Sequence, residues 1–304
     1  MRIERIGYGG WPNCVRVSNG TVEAVVTGDV GPRVMRYGFG DGRNFFREFA
    51  EQMGGSGEPQ WVARGGHRIW IAPEDRVKSY APDNCPVRIE ETADGVICTG
   101  PVEELTGLEK QIALRMAESG AAVEVTHRIR NAGGSACRLA PWALSMMAQG
   151  GYGIHGFPPR GTHPEMLAPT NPLVMWAFTN LSDPRWHLLE RYLVLRQDPA
   201  NAVPQKLGSF HRHTWGAYLL EGDLFVKRYE APGNPEAYPD FGCSFETFTN
   251  ADVLELETLG PITTLEPGEA LTHVERWSAF RGVRVERWDD AELDSVVRPR
   301  VERE

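Results

Sequence analysis

Apolar and polar residues alternate along most of this chain, and glycine or proline breaks the alternation at short intervals. That rhythm constrains the fold more than any other feature. GTVEAVVTGDVGPRVMRYGF carries it on both sides of a Gly-Asp-Val-Gly-Pro break, as two half-buried strands and a turn would. PVRIEETADGVICTGPVE repeats it around Ala93-Asp94-Gly95, a hairpin signal. LEKQIALRMAESGAAVEVTHRIRNAGG holds two longer runs and ends in Asn131-Ala132-Gly133-Gly134, which is turn chemistry. After Asn250 come ADVLELETLGP and, behind the turn Glu266-Pro267-Gly268-Glu269, ALTHVERWSAF. Successive strands with such punctuation predict an all-β sandwich of antiparallel sheets rather than a βαβ sheet.

At 304 residues the chain is long for one domain, yet large all-β folds reach this size. Nothing in the composition divides it, so residues 1–288 are expected to form a single β-sandwich domain, followed by a charged surface tail at 289–304. The centre, 152–200, breaks the rhythm and is expected to be a loop and short-helix insertion. HGFPPRGTHPEMLAPTNP is proline-rich and aperiodic. In SDPRWHLLERYLVLRQ, Ser182 or Asp183 can cap a short helix with Pro184 at its first position, while Tyr192 to Arg196 also fits a strand.

Three stretches hold candidate chemistry. In RGGHRIWIAPE, strand alternation places Arg64, Gly66, Arg68 and Trp70 on one face and His67, Ile69 and Ile71 on the other. A guanidinium beside an indole supplies hydrogen-bond donors and an apolar platform, a pairing that suits a sugar ring. Glu74 closes the stretch. His67 falls on the more apolar face unless the glycines form a bulge that re-aims it. Alternatively Arg68 pairs with a neighbouring carboxylate and His67 is a satisfied core histidine.

In the second stretch, Val253, Glu255 and Glu257 share a strand face that ends at Gly260-Pro261. Carboxylates there can be partly buried and raised toward neutrality, as a base requires, or can be simply solvated. Glu246 is a further strand carboxylate just upstream, preceded by Tyr238 and Asp240. In the third stretch, Trp142 lies beside Met146 and Met147. His211 and His213 have the one-face spacing of a strand metal site but no evident third ligand, so neither a metal nor a cofactor is expected.

The formal net charge of −9 argues against nucleic acid, whose phosphates call for a basic surface. No run approaches the roughly 20 apolar residues of a membrane helix. MRIERIGYGGW lacks a signal-peptide pattern, and Cys14, Cys85, Cys98, Cys137 and Cys243 are scattered singly. Together these predict a cytoplasmic protein with reduced thiols. A Walker loop, GxSxG and HExxH are missing from the sequence.

LELETLGP followed by a PGE turn and ERWSAF resembles the C-terminal end of galactose mutarotase-like proteins. GPRVMRYGFGDGRNFF resembles their opening strands. The resemblance implies a large antiparallel β-supersandwich and a small-molecule carbohydrate as the partner. It implies further that Glu257 matches the general base of aldose 1-epimerases, a glutamate on a strand before such a turn. RGG at Arg64 resembles a segment of hexose-6-phosphate mutarotases whose arginine lines the sugar site, which would give Arg64 a binding role.

A departure accompanies these matches. The family's mid-chain histidine, which protonates the ring oxygen, has no counterpart in LAPWALSMM. An acid would have to come from elsewhere, with His67 as the candidate. The expected activity is therefore interconversion of sugar anomers by a glutamate base and a histidine acid. Arg64, Arg68, Trp70, Glu74, Trp142, Tyr238, Asp240 and Glu246 would line the site. Sugar binding without catalysis is the alternative, as is a sugar-acid lyase or hydrolase using Tyr152, Tyr238 or Asp240. The oligomeric state is left open.

Overall fold

The computed structural model describes residues 1–212 and 214–302. Among these residues the alternating segments form an 11-stranded and a 10-stranded sheet of antiparallel strands. The inner faces pack together: Ile69, Ala143, Leu254 and Leu256 of the first sheet join one apolar cluster with Ile112, Val125, Phe225 and Trp277 of the second. Burial of each leucine, isoleucine, valine or phenylalanine among them contributes about 1.5–3 kcal/mol. The expected all-β sandwich is therefore the observed architecture.

The middle of the 11-stranded sheet positions the site. Its successive neighbours are His67–Ala72, Cys137–Met147, Leu254–Leu259, Phe245–Thr249 and Gln205–Ser209. Register then sets out rows of side chains on the outer face. Arg68 lies opposite Leu144, Leu144 opposite Glu257, and Glu257 opposite Glu246. The adjacent row runs through Met146, Glu255, Phe248 and Lys206. Because side chains alternate with period two, this outer face and the apolar inner face are the two sides of the same strands.

The central insertion contains strands where a helix was expected. Trp186–Leu188 and Tyr192–Arg196 form a hairpin, and the latter pairs with Tyr152–Gly156 at the end of the 10-stranded sheet. The apolar residues that mimicked a helical period are distributed over both strands. Asp183 caps no helix; its carboxylate receives the Arg185 guanidinium at 2.9 and 2.8 Å.

The tail is docked. Asp289 accepts the Glu292 N–H and starts the short helix Asp290–Val296. Leu293, Val297 and Val301 are buried against Ile154, Tyr192 and Val226. Arg228 donates to the carbonyls of Arg300 and Val301, tying down the chain end. No helix among the described residues is long and apolar enough to cross a membrane.

Candidate functional site

On the outer face of the 11-stranded sheet lies a cavity of about 580 Å³. Arg68, Trp70, Glu74 and Trp142, all picked out by sequence, line it together with Glu255 and Lys206. Larger cavities, of about 770, 990 and 650 Å³, lie elsewhere, and their lining includes paired cations. Lys110 pairs with Glu103 at 2.7 Å, and Arg115 pairs with Asp94 at 2.8 Å.

Arg68 forms one wall. Its guanidinium lies 4.8 Å from the Trp61 ring and 4.3 Å from the Trp70 ring, with Trp61 supplied by a loop. Burial lowers its pKa to about 10, assisted by Arg33 and opposed by Glu255. The aromatic surface continues through Trp142, edge-on to Trp70 at 5.4 Å, and through Tyr80, 4.8 Å from Trp70.

Lys206 forms the opposite side. Its ammonium sits 2.7 Å from the Glu246 carboxylate and 2.9 Å from that of Glu257, beneath the rings of Trp142 and Trp176. Burial alone would lower its pKa; Glu246 and Glu257 outweigh burial and raise it. Burial drives the Glu246 carboxyl upward, opposed by Lys206 and reinforced by Glu257 and Asp240. Asp240 is half-buried and also raised by burial, with Lys206 opposing.

Glu257 is fully buried and absent from the cavity wall. One of its oxygens accepts from the Trp142 indole at 2.8 Å and from Lys206, so it anchors those two residues. Of this strand's carboxylates, the one that reaches the cavity is Glu255, two residues earlier on the same face. Burial raises its pKa to about 7, with Glu257 adding to the shift and Arg68 and Lys206 opposing it. It is poised to exchange a proton near neutrality.

Other expected residues lie elsewhere, each for a visible reason. The strand begins at His67, after Arg64, Gly65 and Gly66 have adopted positive φ values of 55°, 93° and 75°. A Cβ on Gly65 would stand 1.9 Å from the Arg47 carbonyl oxygen, so glycine is required there. That turn withdraws Arg64 from the face that carries Arg68. Its buried guanidinium binds Glu58, the Gln52 carbonyl at 2.9 Å and Asn84 at 3.1 Å, holding loops together. Tyr238 is buried against Phe210, with its hydroxyl donating to the Pro232 carbonyl, and is likewise outside the cavity.

His67 belongs to the inner face, on the far side of the sheet from Glu255 and Glu257. Its Nε2 lies 2.7 Å from His127 Nε2 and its Nδ1 2.8 Å from Ser145 Oγ. One tautomer set satisfies the whole chain of bonds. His127 donates from Nδ1 to the His273 carbonyl, His67 donates to His127, and the Ser145 hydroxyl donates to His67. Lys227 donates to Ser145 and Glu275, whose other oxygen accepts from Trp277. Burial pulls the His67 pKa well down, with His127 and Lys227 adding to this and Glu275 opposing. A neutral imidazole sealed in the core cannot protonate a sugar in the cavity, so the expected acid role is withdrawn.

His67, His127 and Glu275 also form a cluster with metal-ligand atoms within 4.8 Å of one another. The Lys227 ammonium already supplies the positive charge at Glu275, and the two imidazoles bond each other, so the cluster is built as a hydrogen-bond network. His213 lies outside the described residues, so the expected His211–His213 pair has no structural description.

No family model matches the sequence, and no curated protein matches it. Solved structures do match over nearly the whole chain. A proposed aldose 1-epimerase from Klebsiella pneumoniae aligns with a TM-score of 0.59 at 12% identity, over 98% of this chain and 87% of that one. A galactose mutarotase related enzyme from Lactobacillus acidophilus gives 0.55 at 8% identity, over 88% and 97%. A galactose mutarotase-like protein from Clostridium acetobutylicum gives 0.53 at 11% identity, over 92% and 98%. This chain therefore has the galactose mutarotase-like fold.

Proposed function

We propose that this protein binds a sugar in the outer-face cavity and interconverts its anomers, as an aldose 1-epimerase does. One observation carries the reading: Arg68, flanked by Trp61 and Trp70, shares the cavity with a half-buried carboxylate poised at about 7, Glu255. The indoles offer a platform for the apolar face of a pyranose, and the guanidinium offers donors to its oxygens. The fold likeness supports the reading, although a fold can host many activities.

Anomer exchange requires a base at the anomeric hydroxyl and a donor at the ring oxygen, acting together. Glu255 takes the hydroxyl proton, the bond between the anomeric carbon and the ring oxygen breaks, and the ring oxygen receives a proton. Reclosure on the other face of the carbonyl reverses each transfer, so no net proton is consumed. The Lys206 ammonium and the Tyr80 hydroxyl are the donors in the cavity wall. The test is magnetisation-exchange NMR on a panel of aldoses with wild type and Glu255→Gln. Acceleration by wild type and its loss in the folded variant are expected; no acceleration of any aldose by wild type sinks the catalytic reading.

Sugar binding without turnover is the second reading, and one observation favours it. Both donors are already engaged, Tyr80 by Glu74 at 2.6 Å and Lys206 by Glu246 and Glu257. Calorimetric binding of an aldose that shows no accelerated exchange would select it.

A further inference from the structure

We propose that the sugar taken by this cavity is an acidic one, whose single carboxylate is held by Arg68. The inference rests on the reading of the cavity as a sugar site and specifies the substrate class.

Arg68 is 2% exposed, yet among the described residues it forms no ion pair. Its Nε has no hydrogen-bond partner, and Nη1 reaches only the Met146 sulfur at 3.4 Å. The other fully buried arginines behave differently. Arg33 binds Asp83 at 2.6 Å, Arg64 binds Glu58, and Arg185 binds Asp183 at 2.8 Å. Such pairing is the rule, because an uncompensated buried charge is costly. With Trp61 and Trp70 covering its flanks, the guanidinium is left to bond through its edge, and it lines a cavity large enough for a sugar. That edge is a planar fork of N–H donors, which matches a carboxylate with two parallel bonds.

Charge balance sets the number of negative charges. Lys206 is already matched by Glu246 and Glu257, so Arg68 is the one cation lining the cavity without an ion pair. Glu74, Asp252 and Glu255 line the same space. A sugar carboxylate brings one charge to Arg68, whereas a phosphate dianion would add repulsion from these acids that Arg68 alone cannot offset.

The test is calorimetry on the full chain at neutral pH. Galacturonate, glucuronate and mannuronate are each compared with the parent aldose and its 6-phosphate. At least one uronate is expected to bind about ten-fold or more tightly than its parent, in keeping with a charge-assisted bidentate contact. It should also bind more tightly than the 6-phosphate. In Arg68→Gln the uronate-to-aldose ratio is expected to collapse toward one. If that variant does not fold, Arg68→Lys keeps the charge without the fork and should show a reduced ratio. An undiminished ratio in either folded variant overturns the role of Arg68. Aldoses that bind as tightly as their uronates overturn the acidic substrate while leaving the sugar site standing, and preference for a 6-phosphate overturns the carboxylate. Failure of every saccharide to bind overturns the sugar site itself, and this inference with it.

Discussion

Trp142 donates its indole N–H to the buried Glu257 carboxylate at 2.8 Å, across adjacent strands of the 11-stranded sheet. The same carboxylate oxygen receives Lys206, so this bond helps hold the lysine in the cavity wall. Trp142→Phe keeps the ring and removes the donor. Loss of about 1.5–3 kcal/mol in stability is expected, the usual worth of a hydrogen bond to a charged group. Urea unfolding checks it, and an unchanged midpoint would show that the bond contributes nothing.

Lys206 compensates both Glu246 and Glu257 in a largely buried setting at the cavity wall. Lys206→Met leaves two buried carboxyls without their cation, and about 3–5 kcal/mol of destabilisation is expected. Adding Glu246→Gln removes one of the stranded charges and should restore part of the loss. If the double variant is no more stable than the single one in chemical denaturation, the electrostatic account of this triad is wrong.

The Glu255 carboxyl has a folded value of about 7, against an ordinary value of 4.5. Anomer exchange should therefore rise as pH passes upward through about 7 and ionises the base. Charges facing this group come from Glu257 on its own strand, Arg68 and Lys206 on the next-but-one strands to either side, and Glu74 beyond the His67–Ala72 strand. Stability moves the opposite way. Between these two values the folded chain holds a proton that the unfolded chain has released, so stability falls as pH rises from 4.5 to about 7. Glu255→Gln is accordingly expected to raise Tm at pH values above about 7 and to change it little near pH 4. Equal shifts at both ends would contradict the raised value.

Acid should weaken the fold through its buried histidines. Burial lowers the values of His67 and His127 and brings those of His155 and His273 to about 3, from the ordinary 6.5. Above pH 6.5 both folded and unfolded forms are neutral at these sites, and this contribution is intact. As pH falls below that point the unfolded chain takes up protons first, and stability is lost progressively toward pH 3. Tm measured across this range should fall more steeply for wild type than for His273→Gln. Parallel curves would remove His273 from the account.

Arg64 tests the division between scaffold and site. Arg64→Met breaks its bonds to Glu58, Gln52 and Asn84 while removing no residue of the cavity wall. Stability is expected to drop by about 1–3 kcal/mol, the cost of leaving buried hydrogen-bonding groups without their partner. Any saccharide affinity should survive below the unfolding temperature, and a selective loss of affinity would return Arg64 to the site.

Strand alternation, read from sequence, placed Arg68 with Trp70, Glu255 with Glu257, and His67 with Ile69, because period two is a local property of extended backbone. It also carried the all-β architecture. Tertiary structure decided which of these faces became a site. Lys206 comes from a strand whose sequence, QKLGS, marks it in no way, and pairing across Phe245–Thr249 delivers it to Glu257. Trp61 sits in a loop and reaches Arg68 only through folding. Gly65 reverses the local backbone, and so moves Arg64 off the face that simple alternation assigned to it. Choosing Glu255 rather than Glu257 as the exposed carboxylate depended on which one Trp142 and Lys206 cover. Alternation is written into neighbouring residues; coverage, charge pairing and solvent access arise between segments far apart in the chain, and folding alone brings those segments together.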